Sequence, residues 1–248
     1  MNTPVVLITG ALTGIGRATA LAFAKEGARA VIAGRHDEPG KKLVAELREI
    51  GAEAEYWRTD VRHEDDLREL VDKTVARFGR LDIAVNNAAT EGQGGLVTEQ
   101  TAESYAATFD TNVLGLLLSM KHELRVMLRQ GSGSIVNVSS AYGSIGAPGA
   151  AVYVGSKHAV EGITKSAALE VAGTGVRVNV VAPGTTDTGM LTRFTNTTEN
   201  KAALVSTVPV KRLATPEEIA DVIVFVASAK ASYMTGASIP VDGGMLAD

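Results

Sequence analysis

Seven short apolar, β-rich runs punctuate the chain, at 5–8, 30–33, 54–57, 83–85, 135–138, 176–181 and 239–241, the third being the weakest. Helical periods fill the gaps. The clearest comprises Leu67, Leu70, Val71, Thr74, Val75 and Phe78, which recur at three and four and leave charges on the opposite face. Strands that read as continuous apolar runs are buried on both faces, and strands separated by helices pair in parallel. The pattern therefore predicts a doubly wound α/β fold of Rossmann type, a parallel seven-stranded sheet with helices on both faces. No repeat, charge block or low-complexity linker divides the chain, so 1–248 reads as one domain.

Composition removes several function classes. There is no cysteine, and His36, His63, His122 and His158 lie far apart, so neither thiol chemistry nor a zinc site is expected. With 24 Lys+Arg against 28 Asp+Glu, the net charge is -4, which argues against a nucleic-acid or anionic-membrane surface. No apolar run reaches the roughly 18 residues of a membrane span, and residues 1–4 lead straight into the first strand without a basic segment of signal-peptide kind. The expected location is the cytoplasm.

Directly after the first apolar run stands Thr9-Gly10-Ala11-Leu12-Thr13-Gly14-Ile15-Gly16, and a helical run comes next. Glycines here allow a tight turn and let the backbone approach a pyrophosphate at the positive end of the helix. The spacing Gly-x3-Gly-x-Gly departs from the more widespread GxGxxG, and a strand-to-helix turn without ligand would look similar. The second run ends in Ala33-Gly34-Arg35, where NAD-binding chains place a carboxylate for the ribose hydroxyls. Here Gly34 leaves room and Arg35 offers a guanidinium fork for a 2′-phosphate, favouring NADPH over NADH. The alternative is that Asp37 takes the ribose and Arg35 is solvated.

Tyr153 and Lys157 stand four apart in a helix-compatible stretch and project from one face. A phenol of pKa near 10 is a poor base at neutral pH, and a neighbouring ammonium favours its ionised form. Ser140 ends an apolar strand 13 residues before the tyrosine, and Asn112 adds a fourth polar group from a third segment.

With these residues in view, the sequence resembles the short-chain dehydrogenase/reductase family from Val5 to Gly244. The matching motifs run in the family's order: TGxxxGxG at 9–16, Asp60-Val61, Asn86-Asn87-Ala88, Asn112, Ser140, Tyr153 and Lys157, Pro183-Gly184 with Thr188, and Val241-Asp242-Gly243-Gly244. The resemblance implies that Tyr153 is the general acid/base and that Ser140 holds the substrate oxygen. Lys157 binds the nicotinamide ribose and tunes Tyr153, while Asn112 anchors a water of the proton relay. It also implies that the dinucleotide rests on Gly10, Thr13, Gly14, Ile15 and Gly16. Arg35, Asp60, Val61, Asn86 and Ala88 continue along the adenosine, with Asn86 beside its ribose. Pro183, Gly184, Thr186 and Thr188 hold the carboxamide. Ala89 replaces the family's usual glycine, and Thr13 is neutral where many NADPH-using members are basic, leaving the phosphate to Arg35 alone. His158 is expected to be solvated and to take no part.

The stretch 185–208 has no clear period and carries Thr and Asn clusters around Met190, Leu191 and Phe194. It reads as a lid whose three apolar side chains line a substrate pocket with Tyr142, or else as a mobile surface insertion. The expected activity is NAD(P)(H)-dependent interconversion of a ketone or aldehyde and a secondary alcohol. One alternative is a 3-oxoacyl carrier-protein reductase, disfavoured because Ala172-Gly173-Thr174-Gly175 offers no basic docking residue, although Arg125 and Arg129 remain candidate contacts. A dinucleotide-binding scaffold without turnover is the other. The resemblance also implies a homotetramer, in keeping with Leu114, Leu116, Leu117, Leu118 and Met120, which make their helix apolar on more than one face.

Overall fold

A computed structural model describes residues 3–247. Its seven strands are β1 (Val5–Thr9), β2 (Arg29–Gly34), β3 (Ala54–Arg58), β4 (Ile83–Asn86), β5 (Gly133–Val138), β6 (Val176–Pro183) and β7 (Ser238–Val241). They form one all-parallel sheet in the order β3-β2-β1-β4-β5-β6-β7. Strand order reverses between β1 and β4, where Thr9 sits opposite Asn86, so the carboxyl ends of these two strands open a crevice for ligands. The weak apolar character of β3 matches its position at one edge, with half-buried Glu55, Tyr56 and Trp57. At the other edge β7 tolerates Pro240, whose missing N–H costs a central strand a ladder bond.

Two cores cover the faces. On one, α1 (Gly14–Lys25), α2 (Asp37–Glu49) and α9 (Pro216–Ala227) bury Phe23, Leu47, Ile219 and Ile223 against the sheet. On the other, α3 (Glu64–Phe78), α5 (Gly115–Gln130) and α6 (Ala151–Glu170) bury Leu70, Met120, Met127 and Val160. Helix α9 shows why an element starts where it does. Thr215 caps it and accepts from the Glu218 N–H at 3.3 Å, Glu218 returns a bond to the Thr215 N–H at 2.8 Å, and Pro216 occupies the first turn.

Helix α4 (Ala102–Phe109) runs into α5 through a π turn at Asp110–Leu114, with no loop between them. The extra residue re-aims α5, as π turns commonly do at functional sites. Gly115 then meets Val61 so closely that a Cβ would lie 2.9 Å from its methyl.

The stretch 185–208 is more ordered than its composition predicts. It contains α7 (Gly189–Thr195) and α8 (Thr198–Thr207), capped by the Thr188 and Thr197 hydroxyls, and Asn196 ends α7 at φ 60°. α8 buries no residue, so it shows no apolar period along the sequence.

Candidate active site

The crevice at the β1/β4 reversal is a long polar groove. Its floor is the glycine turn, where Gly10 and Gly14 adopt φ of 64° and 52°, a region costly for any side chain. A Cβ on Gly10 would come 2.7 Å from the Ala88 Cα, so the turn and the segment after β4 touch. Gly16 serves packing instead, since a Cβ there would meet the Gly10 carbonyl at 2.3 Å. Thr13 precedes α1 with no side-chain capping bond, and the first turn holds no acidic residue. The helix N-terminus therefore keeps unpaired N–H groups and positive potential, which fits a pyrophosphate. Ile15, Arg35, Asp60, Val61, Ala88 and Thr188 also line the groove. Thr188 closes it from above, its methyl 3.2 Å from where a Gly14 Cβ would stand.

At the adenosine end Arg35 is exposed, while Asp37 accepts a bond from the Tyr56 hydroxyl at 3.3 Å and lies outside the groove lining. Asp60 is not free either. The Arg62 guanidinium grips it through Nη2 at 2.6 Å and Nε at 3.0 Å and holds its carboxyl down to about 2. Arg62 is thus a second cation in the groove beside Arg35, though a paired one.

Gly34 lines the groove, and a Cβ there would lie 2.7 Å from Leu12 side-chain carbons, so the glycine also makes room for Leu12. The Asn86 side chain, expected beside the ribose, does not face the groove. It is buried behind the sheet, donating to Glu123 Oε2 and Asn137 Oδ1, each at 3.0 Å, and Asn87 lines the groove in its place. Burial pushes the Glu123 carboxyl up to about 7.

The groove opens into an apolar pocket where the reactive groups meet. Tyr153 comes from the first turn of α6, and Lys157 stands one turn later with its Nζ 5.7 Å from the tyrosine ring centroid. Lys157 is 3% exposed and donates to the Val138 carbonyl at 3.0 Å. Burial lowers it to about 8, against the pull of Glu161. Ser140, two residues after β5, accepts from the Tyr142 N–H at 3.2 Å, turning the chain so that its hydroxyl faces the same pocket. Burial drives Tyr153 up to about 12, with the Ser140 hydroxyl opposing and Glu91 and Tyr142 reinforcing. Lys157 is not among the groups that shift Tyr153 in the protein alone, where the lysine's hydrogen bond goes to a backbone carbonyl.

Asn112 lies in the π turn, with its side chain engaged. Its Oδ1 accepts from the Thr90 N–H at 2.8 Å, and its Nδ2 donates to the Thr90 carbonyl at 2.9 Å and Ser156 Oγ at 3.0 Å. The amide ties α6 to the loop after β4, and Oδ1 keeps one acceptor site beyond its bond to Thr90. His158 is exposed, as expected.

Tyr142, Met190, Leu191, Phe194, Pro183, Gly184 and Thr186 all line the pocket. Tyr142 and Tyr153 meet edge to face at 6.5 Å. Sequence reasoning missed Glu91, Leu204 and Met245, which also line it. Glu91 is gripped by Arg193 of α7, with Nη2 at 3.1 Å from Oε2, so the pair straps α7 to the loop after β4. Met245 arrives because Asp242 folds the tail back, accepting from the Gly244 and Leu246 N–H groups at 2.9 and 2.8 Å. The Asp-Gly-Gly run was the available signal.

Residues 10–246 match a family model described as Enoyl-(Acyl carrier protein) reductase. The chain belongs to the short-chain dehydrogenase/reductase family. It is 40% identical to the 2,5-dichloro-2,5-cyclohexadiene-1,4-diol dehydrogenase of Sphingobium indicum, with 98% of this chain and 96% of that one covered. Identity is 39% to the 3-oxoacyl-[acyl-carrier-protein] reductase FabG of Thermotoga maritima, covering 98% and 97%. Among solved structures, a single-residue variant of actinorhodin polyketide ketoreductase with NADPH superposes with a TM-score of 0.94 at 35% identity, covering 98% and 97%. As a family member the chain is an oxidoreductase that interconverts carbonyl compounds and secondary alcohols with a nicotinamide dinucleotide. No helix among the described residues is long and apolar enough to cross a membrane.

Proposed function

We propose that this short-chain dehydrogenase/reductase is an NADPH-preferring reductase of small, largely apolar ketones, ring ketones foremost. The observation that carries the reading is the pocket. Tyr153, Ser140 and Lys157 converge at one wall, and Tyr142, Met190, Leu191, Phe194, Leu204 and Met245 supply apolar surface around them. The ring-diol substrate named for the Sphingobium relative fits such a lining.

The bound dinucleotide supplies the hydride. The chain's own residues do the rest. Ser140 Oγ donates to the substrate oxygen and fixes its face. Tyr153 passes its phenolic proton to that oxygen as negative charge develops, and the high intrinsic pKa set by burial keeps the proton in place until then. Lys157 holds a ribose hydroxyl pair and lends positive charge to the phenolate left behind. Asn112 holds the loop after β4 and the start of α6 in register, and its Oδ1 has an acceptor site left for a relay water. Arg35 receives the 2′-phosphate. The lid closes over the substrate and excludes water.

A 3-oxoacyl carrier-protein reductase is the weaker reading despite the FabG relative. Of its two candidate docking residues, Arg125 is engaged by Asp72, and exposed Arg129 remains as the one with no ion pair among the described residues. We place the enzyme in the cytoplasm as a homotetramer, with α5 and α6 in one interface. Leu114, Leu117 and Leu169 are 41%, 47% and 79% exposed, whereas Leu116 and Met120 are buried in the core. Initial rates with NADPH and NADH against small and large ring ketones and an acetoacetyl thioester test the reading. A higher kcat/KM for the thioester than for any ring ketone overturns it. Light scattering that gives a monomer mass removes the tetramer.

A further inference from the structure

Glu161 is a buried charge for which neither the fold nor the chemistry above has a use. It lies on α6 one turn after Lys157 and is 6% exposed. Its Oε1 accepts from Ser238 Oγ of β7 at 3.1 Å, while Oε2 is buried without a hydrogen-bond partner. Its stem packs under the turn after Ser140, since a Cβ on Gly143 would come 3.1 Å from the Glu161 Cγ. Lys157 is its mirror image, a buried ammonium bonded to one backbone carbonyl, with no ion pair within 4.0 Å among the described residues.

A buried carboxylate or ammonium without a direct partner is costly, and apolar residues of similar size would serve packing as well or better. Two such opposite charges on one helix face, one turn apart, each account for the other. Helix stability does not explain them, because acid before base is the favoured order at this spacing and here the base comes first.

The charges around Lys157 leave Glu161 as the counterion. From the loop after β4, Glu91 is engaged by Arg193. Glu103 of α4 and Asp110 of the π turn are exposed. Asp242, after β7, is committed to the Gly244 and Leu246 N–H groups. Arg177 of β6 donates to the Val226, Ala227 and Ser228 carbonyls and Ser134. Tyr142, Tyr153 and exposed His158 add no negative charge at neutral pH.

We propose that Glu161 is a positioning residue whose buried negative charge, one helical turn behind Lys157, keeps that lysine a cation at working pH. The inference rests on the assignment of Tyr153 and Lys157 as the acid/base pair. Through Ser238 and the Gly143 turn the same carboxylate joins β7, the Ser140 turn and the lysine into one unit.

The test is the pH profile of kcat/KM for Glu161→Gln. The alkaline limb should move down by about one pH unit, lowering the rate near pH 9 about tenfold while leaving pH 6.5 within about twofold. Glu161→Asp, which keeps the charge but draws it back by one methylene, should show a smaller shift, measurable but no more than half of it. Ser238→Ala removes only the hydrogen bond and should keep the wild-type profile. A profile for Glu161→Gln that overlays wild type, or falls equally at every pH, overturns the proposal. If that variant does not fold, Glu161→Asp decides: an intermediate shift supports the proposal and an overlay with wild type overturns it.

A second readout needs no turnover. In protein without dinucleotide, thermal stability should begin to rise with pH near the Lys157 pKa of about 8, and about one unit lower in Glu161→Gln. Coincident onsets overturn the proposal. Lys157→Ala separates the two readings. If it turns over at the wild-type rate, the acid/base assignment fails; if it is inactive while the Glu161→Gln curves match wild type, only the present inference fails.

Discussion

The groove and the pocket meet at Tyr153 but are built by opposite means. The groove is the more polar of the two, assembled from segments at the carboxyl ends of adjacent strands: the Gly10 turn, Arg35, Asp60 and Ala88. The pocket is apolar, gathered from β5, α6, the stretch 185–208 and the tail. A groove built on strand-end turns can serve one invariant ligand, whereas a pocket lined from 185–208 and the tail can be re-cut without disturbing it. Substitutions should therefore separate cleanly into those that move dinucleotide affinity and those that move ketone preference.

The largest effect should fall at the junction. Tyr153→Phe keeps the ring that packs against Tyr142 and loses the transferable proton, so kcat should drop 100-fold or more with dinucleotide Kd within about twofold. A residual rate above about a tenth of wild type breaks the assignment.

Stability against pH comes next. Burial lowers Lys157 from 10.5 to about 8, so the unfolded chain binds the extra proton between those values and the folded state gains stability as pH rises across them. Over that window the wild type should gain on Lys157→Met by about 3 kcal/mol. Tyr153 acts the other way. Raised from 10.0 to about 12, its contribution is intact below pH 10 and is lost as pH climbs toward 12. Urea unfolding at half-unit intervals from pH 7 to the alkaline limit of folding resolves both, and a flat difference between wild type and Lys157→Met contradicts the burial argument.

Legibility in the sequence divides along the same line. The glycine turn, Tyr153, Lys157 and the succession of strands are local or periodic features, and all stand where the sequence put them. Asn86 and Asn87 show the limit of local reading. Adjacent residues at a strand end point to opposite faces, so one must enter the core, and the dipeptide alone does not say which. The π turn that carries Asn112 leaves no mark in composition or period. Glu91, Leu204 and Met245 reach the pocket through tertiary return of the chain, and α8, with no buried face, has nothing to reveal it.

Cofactor choice sharpens the contrast at a smaller scale. Arg35→Ser should lower kcat/KM for NADPH about tenfold or more through loss of a charge-assisted contact, while leaving NADH nearly unchanged. Gly34→Asp is not a clean partner for it. The new side chain would displace Leu12 into the groove and should weaken both cofactors. Equal losses for NADPH and NADH in Arg35→Ser would show that the guanidinium does not read the phosphate.

The smallest effects should come from the lid, and they divide by where each side chain points. Phe194 is 39% exposed yet lines the pocket, so truncating it enlarges the space for substrate without touching the groove. Phe194→Ala should change the ratio of kcat/KM between bulky and small ketones severalfold at constant dinucleotide affinity. The Glu91–Arg193 strap acts on closure itself. The Arg193 side chain is 64% exposed, and exposed pairs contribute at most about 1 kcal/mol, so Arg193→Ala should lower kcat/KM by no more than about fivefold. Because the strap does not sort substrates by shape, the loss should be shared by large and small ketones. Added salt screens the pair and should bring wild type toward the variant, while the variant itself responds little. Hydrogen exchange across 185–208 should slow when dinucleotide and ketone bind to wild type, and slow less in Arg193→Ala. Exchange that ignores ligands, together with an unaltered preference in Phe194→Ala, would make this stretch a fixed surface element whose helices, capped by Thr188 and Thr197, merely roof the pocket.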